Sequence, residues 1–369
     1  MRILHFILGK ANPDRANGVN QVVYGLAKHQ TQNNDVVTVV GVSKSMTIDY
    51  ELVDRTFFKV HAFKNFNKAF EYIKNDIENI DIVHLHGVWN FMNIKLGKYL
   101  ESINKPYIIT AHCGYSEDRL KQSNYWIKLL YHKFWQKHLF ENSAGIHAIT
   151  REEATDIAKY CNHQNIFVIP NGMDQAFYSN KIYKVKRHSK IKLGYVGRLS
   201  VEKNIDNLIK AIALLPNNIQ QKIELYLIGP INSKTYKLQQ LVTSLNIENI
   251  VHFTNGIYGE EKIQTLLDLD IYIHPAYSDV VGISVIEALS LGIPTIVTRT
   301  SHMSYYFNSN AFIMVEPTSF DLCRGIIELY KRQEDWAELS VKARQLAQEQ
   351  FNWVKIVKHF ANQFNNIVK

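Results

Sequence analysis

Two acidic side chains flank the start of one helical pattern in the stretch His274–Pro294. A strand pattern leads into a loop with Asp279, and a helix that begins at Gly282 contains Glu287. The first N–H groups of a helix lack intrahelical partners, so Gly282–Ser284 would present an anion-binding site. Asp279 lies before the helix and Glu287 lies inside it, so both carboxylates can face one pocket. The alternative is an ordinary acid near a helix start and an unrelated helix glutamate.

A pair of cations follows a strand in the stretch Gly194–Ile212. The strand ends at Val196, Gly197 lets the backbone turn, and Arg198 and Lys203 flank the start of the next helix. Two cations beside a helix N-terminus make a strong clamp for a diphosphate. The alternative is a solvated pair of surface cations, and these residues alone do not choose between the two.

A third segment, residues 119–140, is basic and aromatic. Its sequence, RLKQSNYWIKLLYHKFWQKHLF, has five Lys or Arg and six aromatic residues but no acid. We predict a helix here that could bind an anionic membrane surface. The alternative is a domain helix with a buried aromatic face and a solvated basic face.

The elements that position these residues are short apolar strands separated by helical patterns. A first set of β-branched and aromatic runs reads as buried parallel strands: Ile3–Leu8, Val36–Val42, Phe57–Phe63, Ile82–Leu85, Tyr107–Thr110 and Ile146–Ile149. Helical patterns such as Asn20–Gln30 lie between them. This alternation predicts an α/β fold with a doubly wound, Rossmann-like domain.

The same pattern then restarts and predicts a second domain of this kind. Its strands are Ile191–Val196, Ile223–Ile228, Ile250–Phe253, Ile271–His274 and Thr295–Thr298. We place the domains at residues 1–175 and 185–350, with the polar, basic stretch Ser179–Lys190 as the linker. Ligands of open α/β sheets bind at the carboxyl ends of the strands, so a cleft between two facing domains is the expected site.

Composition excludes several classes of protein. The chain has 369 residues, 46% of them hydrophobic, which excludes a disordered chain. The net charge of +8 suits an anionic ligand, a nucleic acid or an acidic membrane surface. Three distant cysteines indicate a reducing compartment, and we expect a cytoplasmic protein, because neither a signal peptide nor an apolar run of membrane-spanning length is visible.

Together these residues resemble glycosyltransferase family 4, whose members are retaining nucleotide-sugar glycosyltransferases of the GT-B fold. The segment Gly197-Arg198-Leu199 with Glu202-Lys203 is similar to the family's diphosphate-binding segment. Pro275–Ala288 resembles its motif of two acids with seven residues between them, and residues 169–174, IPNGMD, resemble its interdomain stretch. His112 in ITAHCG stands where the family places a histidine. Residues 351–360 resemble the C-terminal segment that crosses back, which implies that helix 354–369 joins the N-terminal domain.

The resemblance implies a role for each matching residue. Arg198 and Lys203 would hold the donor's diphosphate, while Asp279 and His112 would contact the transferred sugar. These four form the predicted catalytic set. The predicted donor-binding set adds the ribose-binding acid and several loop or helix-start positions: Gly18, Gly197, Gly256, Ile257, Gly282, Ile283, Ser284 and Glu287.

The chain also departs from the family pattern. Asp279 replaces the family's usual glutamate, Val280-Val281 its frequent Gly-Phe, and Asn17-Gly18 its Gly-Gly. The loop Ser301–Tyr305 replaces a loop that often carries Gly-Gly and a later glutamate.

We expect neither a metal nor another cofactor. Asp268-Leu269-Asp270 resembles an Asp-x-Asp metal motif without its context, and His84 and His86 alternate on a strand without the spacing of a third ligand.

The resemblance predicts a sugar transferase whose donor is a nucleotide diphosphate sugar and whose acceptor is a glycan or a lipid-linked molecule. Residues 119–140 would bring it to the inner face of a membrane. Two alternatives remain: another GT-B enzyme, such as a nucleotide-sugar epimerase, and a non-catalytic binding protein. Nucleic-acid binding is the weakest, because no such module is visible.

Overall fold

The computed structural model describes residues 1–12, 18–122, 124–178 and 189–369. They form two units, which we call unit 1 (Met1–Gly172 with Trp353–Lys369) and unit 2 (Met173–Asn352). Most of the linker that we predict at Ser179–Lys190 lies outside the described residues. The C-terminal helix belongs to unit 1.

Unit 1 is a doubly wound sheet covered by helices. Its eight strands lie in the order β3-β4-β2-β1-β5-β6-β7-β8, and every neighbouring pair is parallel except β3 with β4. The strands are β1 Arg2–Leu8, β2 Val36–Val42, β3 Tyr50–Asp54, β4 Lys59–Phe63, β5 Ile82–His86, β6 Tyr107–Thr110, β7 Gly145–Ala148 and β8 Ile166–Val168. The helices are α1 Gly18–Gln32, α2 Phe66–Asp76, α3 Phe91–Ser102, α4 Glu117–Gln122, α5 Tyr125–Tyr131, α6 Lys137–Glu141 and α7 Arg151–Ala158, together with α15 Trp353–Val368.

Helix α15 closes unit 1 through large aromatic side chains. The Trp353 ring stacks on His29 of α1, with ring centroids 5.7 Å apart. A Cβ added to Gly25 would lie 2.7 Å from the Trp353 ring, and one added to Gly172 would lie 2.3 Å from it. The two glycines therefore make the seat for this indole, because any side chain would displace it.

Unit 2 is a six-stranded sheet in the order β11-β10-β9-β12-β13-β14, and all neighbouring strands are parallel. The strands are β9 Ile191–Val196, β10 Ile223–Ile228, β11 Val251–Thr254, β12 Ile271–His274, β13 Thr295–Thr298 and β14 Ile313–Val315. The helices are α8 Ile205–Ala213, α9 Asn217–Gln220, α10 Ser233–Ser244, α11 Gly259–Leu267, α12 Ile283–Leu291, α13 Ser319–Lys331 and α14 Trp336–Gln350.

The predicted α/β fold with two Rossmann-like domains is confirmed. Six predicted strands agree residue for residue with the structure: β2, β6, β9, β10, β12 and β13. Three further strands were not predicted, β3, β8 and β14, and each lies at or next to the edge of a sheet. Strand β3 carries no fully buried residue, so its sequence lacks the continuous apolar run of the central strands.

The predicted single helix over residues 119–140 is wrong. Helix α4 ends at Gln122, and Asn124 then takes a left-handed conformation with φ +51°. A new helical stretch follows from α5 through one π-helical turn, His132–Gln136, into α6. A left-handed residue cannot continue a right-handed helix, which explains the interruption.

Each sheet has one point at which the strand order reverses direction. In unit 1, strand β1 lies between β2 and β5, and in unit 2, strand β9 lies between β10 and β12. Loops that leave such neighbouring strands in opposite directions open a crevice at the carboxyl edge of the sheet. The predicted site residues Gly18, 197–203 and 279–287 follow strands at these two points, whereas His112 follows β6 and Gly256 follows β11.

Candidate functional site

Asp279 lies in the loop that follows β12 in unit 2, and cationic and neutral partners hold its carboxylate. The Lys203 ammonium makes an ion pair with Oδ2, and the His274 Nε2 atom lies 2.9 Å from the same oxygen. Burial acts to raise the pKa of Asp279, but Lys203 and His274 outweigh it and hold that pKa well below its usual range. The carboxylate is therefore ionised, and its second oxygen accepts the neighbouring Val280 N–H at 3.1 Å.

Lys203 is the last residue of a short 3-10 turn, and the side chain of the next residue, Asn204, anchors this turn. The Asn204 side chain is fully buried and donates from Nδ2 to the carbonyl of Pro275, at 2.8 Å, and of Pro317, at 2.9 Å. Its backbone is left-handed, with φ +57°, which asparagine tolerates better than most residues. Sequence reasoning missed Asn204, although an asparagine just before a helix was an available signal.

The start of α12 has no capping side chain. Gly282 is the N-cap residue and has no side chain that could accept from the first N–H groups of the helix. A Cβ on Gly282 would lie 2.8 Å from Asp279 Oδ2 and 2.8 Å from the His274 ring, so only glycine fits here. The preceding strand, β12, supports this start, because the Tyr272 hydroxyl donates to Ser284 Oγ at 2.8 Å.

Glu287 lies inside α12 and pairs with a lysine that sequence reasoning did not find. Lys262 Nζ of α11 lies 2.7 Å from Glu287 Oε1, and the side chains are only 12% and 6% exposed. Asp279 and Glu287 thus each have their own lysine. Nothing in the local sequence pairs Lys262 with an acid 25 positions later, so this contact required the fold.

Arg198 follows β9 and is the more open of the two predicted diphosphate ligands. Its side chain is 52% exposed, and its guanidinium lies 3.4 Å from Glu202 Oε1. The backbone turns at Gly197, with φ +155°, and the Tyr195 hydroxyl donates to the Arg198 carbonyl at 2.9 Å. Arg198 and Lys203 therefore lie on one short loop but have different acidic partners.

The remaining predicted loop residues of unit 2 follow β11. Gly256 donates its N–H to Asn255 Oδ1 at 2.9 Å, and a Cβ at Gly256 would lie 3.2 Å from the Tyr258 hydroxyl oxygen and 3.4 Å from Pro230. Ile257 is half-buried against the unit 2 core. This loop therefore closely approaches the one that follows β10.

In unit 1, Gly18 is the first residue of α1, and a Cβ there would meet nothing within 4 Å. Asn17, the residue before it, lies outside the described residues.

His112 follows β6 in unit 1 and has a strained backbone. Both His112 and Cys113 are left-handed, with φ +49° and +68°. The buried Glu153 carboxylate holds this turn, because it accepts the Cys113 N–H at 2.6 Å and the Ile149 N–H at 2.7 Å. Burial raises the pKa of Glu153 to about 7 and lowers the pKa of His112 to about 3, so the imidazole of His112 is neutral at pH 7.

Behind His112 lies a cluster of buried histidines on β1 and β5. One nitrogen from each of His5, His84 and His86 lies within 4.8 Å of the others. Burial lowers the pKa of all three rings, so each is neutral, the form that binds metals. His5 Nδ1 and His86 Nε2 are already hydrogen-bonded to each other at 3.0 Å.

The Asp268–Asp270 pair has an ordinary structural role at the opposite edge of the unit 2 sheet. Asp268 pairs with the Lys192 side chain, and Asp270 accepts the Lys192 N–H at 2.8 Å.

Residues 124–140 of unit 1 expose a patch of aromatic and aliphatic side chains, which we call the aromatic patch. Trp126 is 75% exposed, and Ile127, Leu130, Phe134 and Trp135 are also exposed. Lys133 lies over the Phe134 ring, 6.0 Å from its centroid. Within the described parts of the chain, no helix is long and apolar enough to cross a membrane.

Comparison with known proteins identifies the family. Residues 16–177 match the model of Glycosyltransferase Family 4, and residues 179–346 match that of Glycosyl transferases group 1. The chain belongs to glycosyltransferase family 4.

Among curated relatives, it is 26% identical over 250 residues to an uncharacterised glycosyltransferase of Methanocaldococcus jannaschii, covering 66% of this chain and 63% of that protein. It is 25% identical over 234 residues to the lipopolysaccharide glucosyltransferase WaaG of Escherichia coli, covering 60% of this chain and 58% of WaaG. The chain thus spans about three fifths of the length of these two relatives.

Two solved structures share the fold along almost the whole chain. The crystal structure of WaaG superposes with a TM-score of 0.73 at 18% identity, over 97% of this chain and 98% of that one. HepE of Anabaena, in complex with UDP-glucose, superposes with a TM-score of 0.76 at 17% identity, over 99% and 100%. The two Rossmann-like units are therefore those of the GT-B fold.

Proposed function

We propose that this chain is a retaining glycosyltransferase that moves a hexosyl group from a nucleotide diphosphate sugar to a glycan or lipid-linked acceptor. Its product would be a surface polysaccharide or a glycolipid. The observation that carries this proposal is the Lys203–Asp279 ion pair in front of the uncapped helix α12. Two relatives support the ligand class, since WaaG is a lipopolysaccharide glucosyltransferase and HepE binds UDP-glucose.

Unit 2 supplies charge stabilisation for a departing diphosphate. Arg198 is exposed, the Lys203 ammonium is held by an ion pair, and no side chain of the N-cap residue covers the first N–H groups of α12. Fixed donors aimed at a charge that develops in the transition state stabilise it without reorganisation. We infer that these groups take the place of a divalent cation, so the reaction needs no metal.

In this proposal the two carboxylates bind different parts of the donor. Glu287 would bind the ribose hydroxyls, with Lys262 fixing its orientation, and Asp279 and His112 would contact the sugar. The bond from the anomeric carbon to the diphosphate breaks as the acceptor oxygen attaches on the same face. The acceptor's proton passes to the departing phosphate oxygen, so atoms and charge balance.

The decisive experiment separates transfer from the two alternatives. The purified chain is incubated with a panel of nucleotide sugars and candidate acceptors, with and without chelator, and the products are analysed by mass spectrometry. We expect a glycosylated acceptor and free nucleotide diphosphate in both conditions. An isomerised donor would instead show an epimerase, an unchanged donor a binding protein, and loss of activity in chelator a metal requirement.

Arg198→Ala tests the diphosphate clamp. A hydrogen bond to a charged group contributes about 1.5–3 kcal/mol, so the variant should bind nucleotide diphosphate roughly 10- to 150-fold more weakly. Binding of the free nucleoside should not change. Lys210→Ala is a matched control, since this exposed cation of the same unit pairs with Asp206 one turn away. Equal weakening for both ligands would contradict the clamp.

The same binding titrations distinguish the proposed roles of Glu287 and Asp279. Glu287→Ala should weaken nucleotide diphosphate and full donor alike, because the ribose is common to both. Asp279→Ala should spare nucleotide diphosphate and impair transfer, and Asp279→Glu should change the ranking of donor sugars. Equal weakening of the bare nucleotide diphosphate by both alanine variants would contradict this division.

His112→Ala tests the contact from unit 1. We expect turnover to fall sharply while nucleotide diphosphate binding stays intact. Restoration of the variant by added zinc would contradict a direct role at the sugar.

We also propose that the aromatic patch docks on the cytoplasmic face of an anionic membrane. Exposed Trp126 and Phe134 can enter the headgroup region, and nearby lysines attract acidic lipid, each by about 1 kcal/mol. In flotation with vesicles of phosphatidylglycerol and phosphatidylethanolamine, changing Lys128, Lys133 and Lys137 to Glu should abolish a salt-sensitive association. The same change at the exposed lysines Lys222, Lys237 and Lys331 of unit 2 is the matched control. Equal flotation of both triple variants would contradict docking through this patch.

A further inference from the structure

The His112 ring is the outer end of a chain of hydrogen bonds that runs into the core of unit 1. His112 Nε2 lies 3.0 Å from His86 Nδ1. His86 Nε2 lies 3.0 Å from His5 Nδ1, and His5 Nε2 lies 2.7 Å from Gln30 Oε1. Three imidazoles and one amide therefore connect the centre of the sheet, at β1 and β5, with the loop after β6.

All members of this chain are buried except the outermost ring. His5 is 0% exposed, Gln30 1% and His86 4%, whereas His112 is half-buried. Burial lowers the pKa of His5, His86 and His112, so each ring is neutral at pH 7. A neutral imidazole has one N–H donor and one bare nitrogen acceptor. Each ring can therefore donate on one side only, and all the tautomers in the chain are coupled.

The inner end of the chain sets the direction of donation. The carbonyl oxygen of Gln30 can only accept, so His5 donates from Nε2 and its Nδ1 is bare. His86 then donates from Nε2 to His5 Nδ1, which leaves His86 Nδ1 bare. His112 in turn donates from Nε2 to His86 Nδ1. The Nδ1 atom of His112 is left with its lone pair, and among the described residues it has no hydrogen-bond partner.

We propose that Gln30, His5 and His86 are positioning residues that hold His112 in the Nε2–H tautomer, with Nδ1 as an acceptor for a hydroxyl of the bound sugar. This role rests on the proposed function of His112, but the tautomers themselves can be measured without any activity. The chain also fixes the orientation of the ring, since rotating it by half a turn would break the bond to His86.

A second chain beside the first provides a matched control. His147 donates from Nε2 to the Ile169 carbonyl at 2.7 Å, so its Nδ1 accepts from the Thr110 hydroxyl at 2.8 Å. Thr110 Oγ1 then accepts from His84 Nε2 at 2.6 Å. This chain is equally buried, but among the residues that the structure describes no hydrogen bond joins it to His112.

The test is a long-range proton–nitrogen NMR correlation of the histidine rings, which distinguishes Nδ1–H from Nε2–H. Signals are assigned by single His→Gln variants. In the unmodified chain we expect Nε2–H at His5, His86 and His112. Gln30→Glu keeps an acceptor and should preserve the pattern, whereas Gln30→Met removes it and should give mixed tautomers at His112. Thr110→Val should leave His112 unchanged.

Transfer kinetics provide the second readout. Gln30→Met should lower kcat about two- to tenfold, the effect of losing one neutral hydrogen bond, and leave nucleotide diphosphate affinity unchanged. Gln30→Glu should restore kcat, and Thr110→Val should not reduce it.

An Nδ1–H signal at any of the three rings in the unmodified chain overturns the proposal, even if Gln30→Met fails to fold. Stoichiometric zinc in the purified protein also overturns it, because the rings would then be ligands. Absence of transfer with a correct tautomer pattern would contradict the proposed function and not the chain of tautomers.

Discussion

The two units are built on similar sheets but bury polar groups in opposite ways. At the strand-order reversal of unit 2, each acid pairs with a lysine: Asp279 with Lys203, and Glu287 with Lys262. At the reversal of unit 1, the buried groups are imidazoles, and His5 and His86 bond to neutral partners. The polar groups at the reversal of unit 2 are therefore ion pairs, whereas those at the reversal of unit 1 are uncharged donors and acceptors.

The difference shows two solutions to the same desolvation cost. A buried charge is tolerated when an opposite charge and hydrogen bonds compensate it, as for Asp279. A buried imidazole avoids the cost by remaining uncharged, as for His5, but then its neighbours decide which nitrogen carries the proton. Unit 2 thus suits a charged ligand group, and unit 1 suits a neutral hydroxyl.

Acidification should produce the largest difference in stability between the units, because it should destabilise unit 1 more than unit 2. Burial lowers the pKa of His5 and of His147 from 6.5 to about 4. The unfolded chain therefore gains protons first, and stability is lost as the pH falls from 6.5 towards 4. One pKa unit corresponds to about 1.4 kcal/mol, so each of these rings costs up to about 3 kcal/mol.

Groups of both units modify this effect, including His274 of unit 2, whose pKa is also lowered by burial. The raised pKa of Glu153 acts in the opposite direction, since its contribution is lost as the pH rises from 4.5 to about 7. The lowered pKa of Asp279 stabilises unit 2 above the ordinary value of 3.8 and is lost only below it. Pulse proteolysis at pH 7 and 4.5, read by mass spectrometry of peptides from each unit, should show unit 1 opening first. His147→Gln should reduce the pH dependence, and earlier opening of unit 2 would contradict the assignment.

Removing a lysine from unit 2 should have the next largest effect. Lys203→Met leaves the Asp279 carboxylate without its cation and should lower the free energy of unfolding by about 3 kcal/mol. The double variant Lys203→Met, Asp279→Asn should recover most of that loss, because the uncompensated charge is gone. Lys210→Met, an exposed cation on α8, is the control and should change stability by less than about 0.5 kcal/mol. Urea unfolding measures all three, and a double variant no more stable than Lys203→Met would show that the ion pair is not the cause.

Removing one neutral hydrogen bond should have the smallest effect on the free energy of unfolding. This effect should be equal in the two units. The Tyr195 hydroxyl donates to the Arg198 carbonyl at 2.9 Å in unit 2, and the Tyr107 hydroxyl donates to the Leu139 carbonyl at 3.0 Å in unit 1. Changing either tyrosine to phenylalanine should cost about 1 kcal/mol in urea unfolding. Clearly unequal losses would mean that the units differ in more than their charges.

The sequence predicted the central strands well, because buried parallel strands are continuous runs of β-branched and aromatic residues. It failed where a strand is short or lies near an edge, as for Ile166–Val168 and Ile313–Val315, which offer only three residues each. It also failed over residues 119–140, where a basic, aromatic composition hid the left-handed Asn124.

The resemblance predicted individual site residues, but it did not predict their hydrogen-bond and ion-pair partners. Gln30 and His5 are 25 residues apart, and His5 and His86 are 81 apart. Such contacts arise only when strands and helices are assembled, and no local pattern marks them. The resemblance suggested what the side chains bind, whereas the three-dimensional structure was needed to show which groups set their charge and proton positions.

The seat of Trp353 against Gly25 and Gly172 has a consequence for biosynthesis. Because α15 follows unit 2 in the chain, a ribosome makes all of residues 173–352 before the last helix of unit 1 emerges. Unit 2 is continuous and can fold while translation proceeds, whereas unit 1 must wait with the site for Trp353 open to solvent. Vectorial synthesis therefore reverses the usual order, and the nascent chain should expose its N-terminal half to chaperones longer than its C-terminal half.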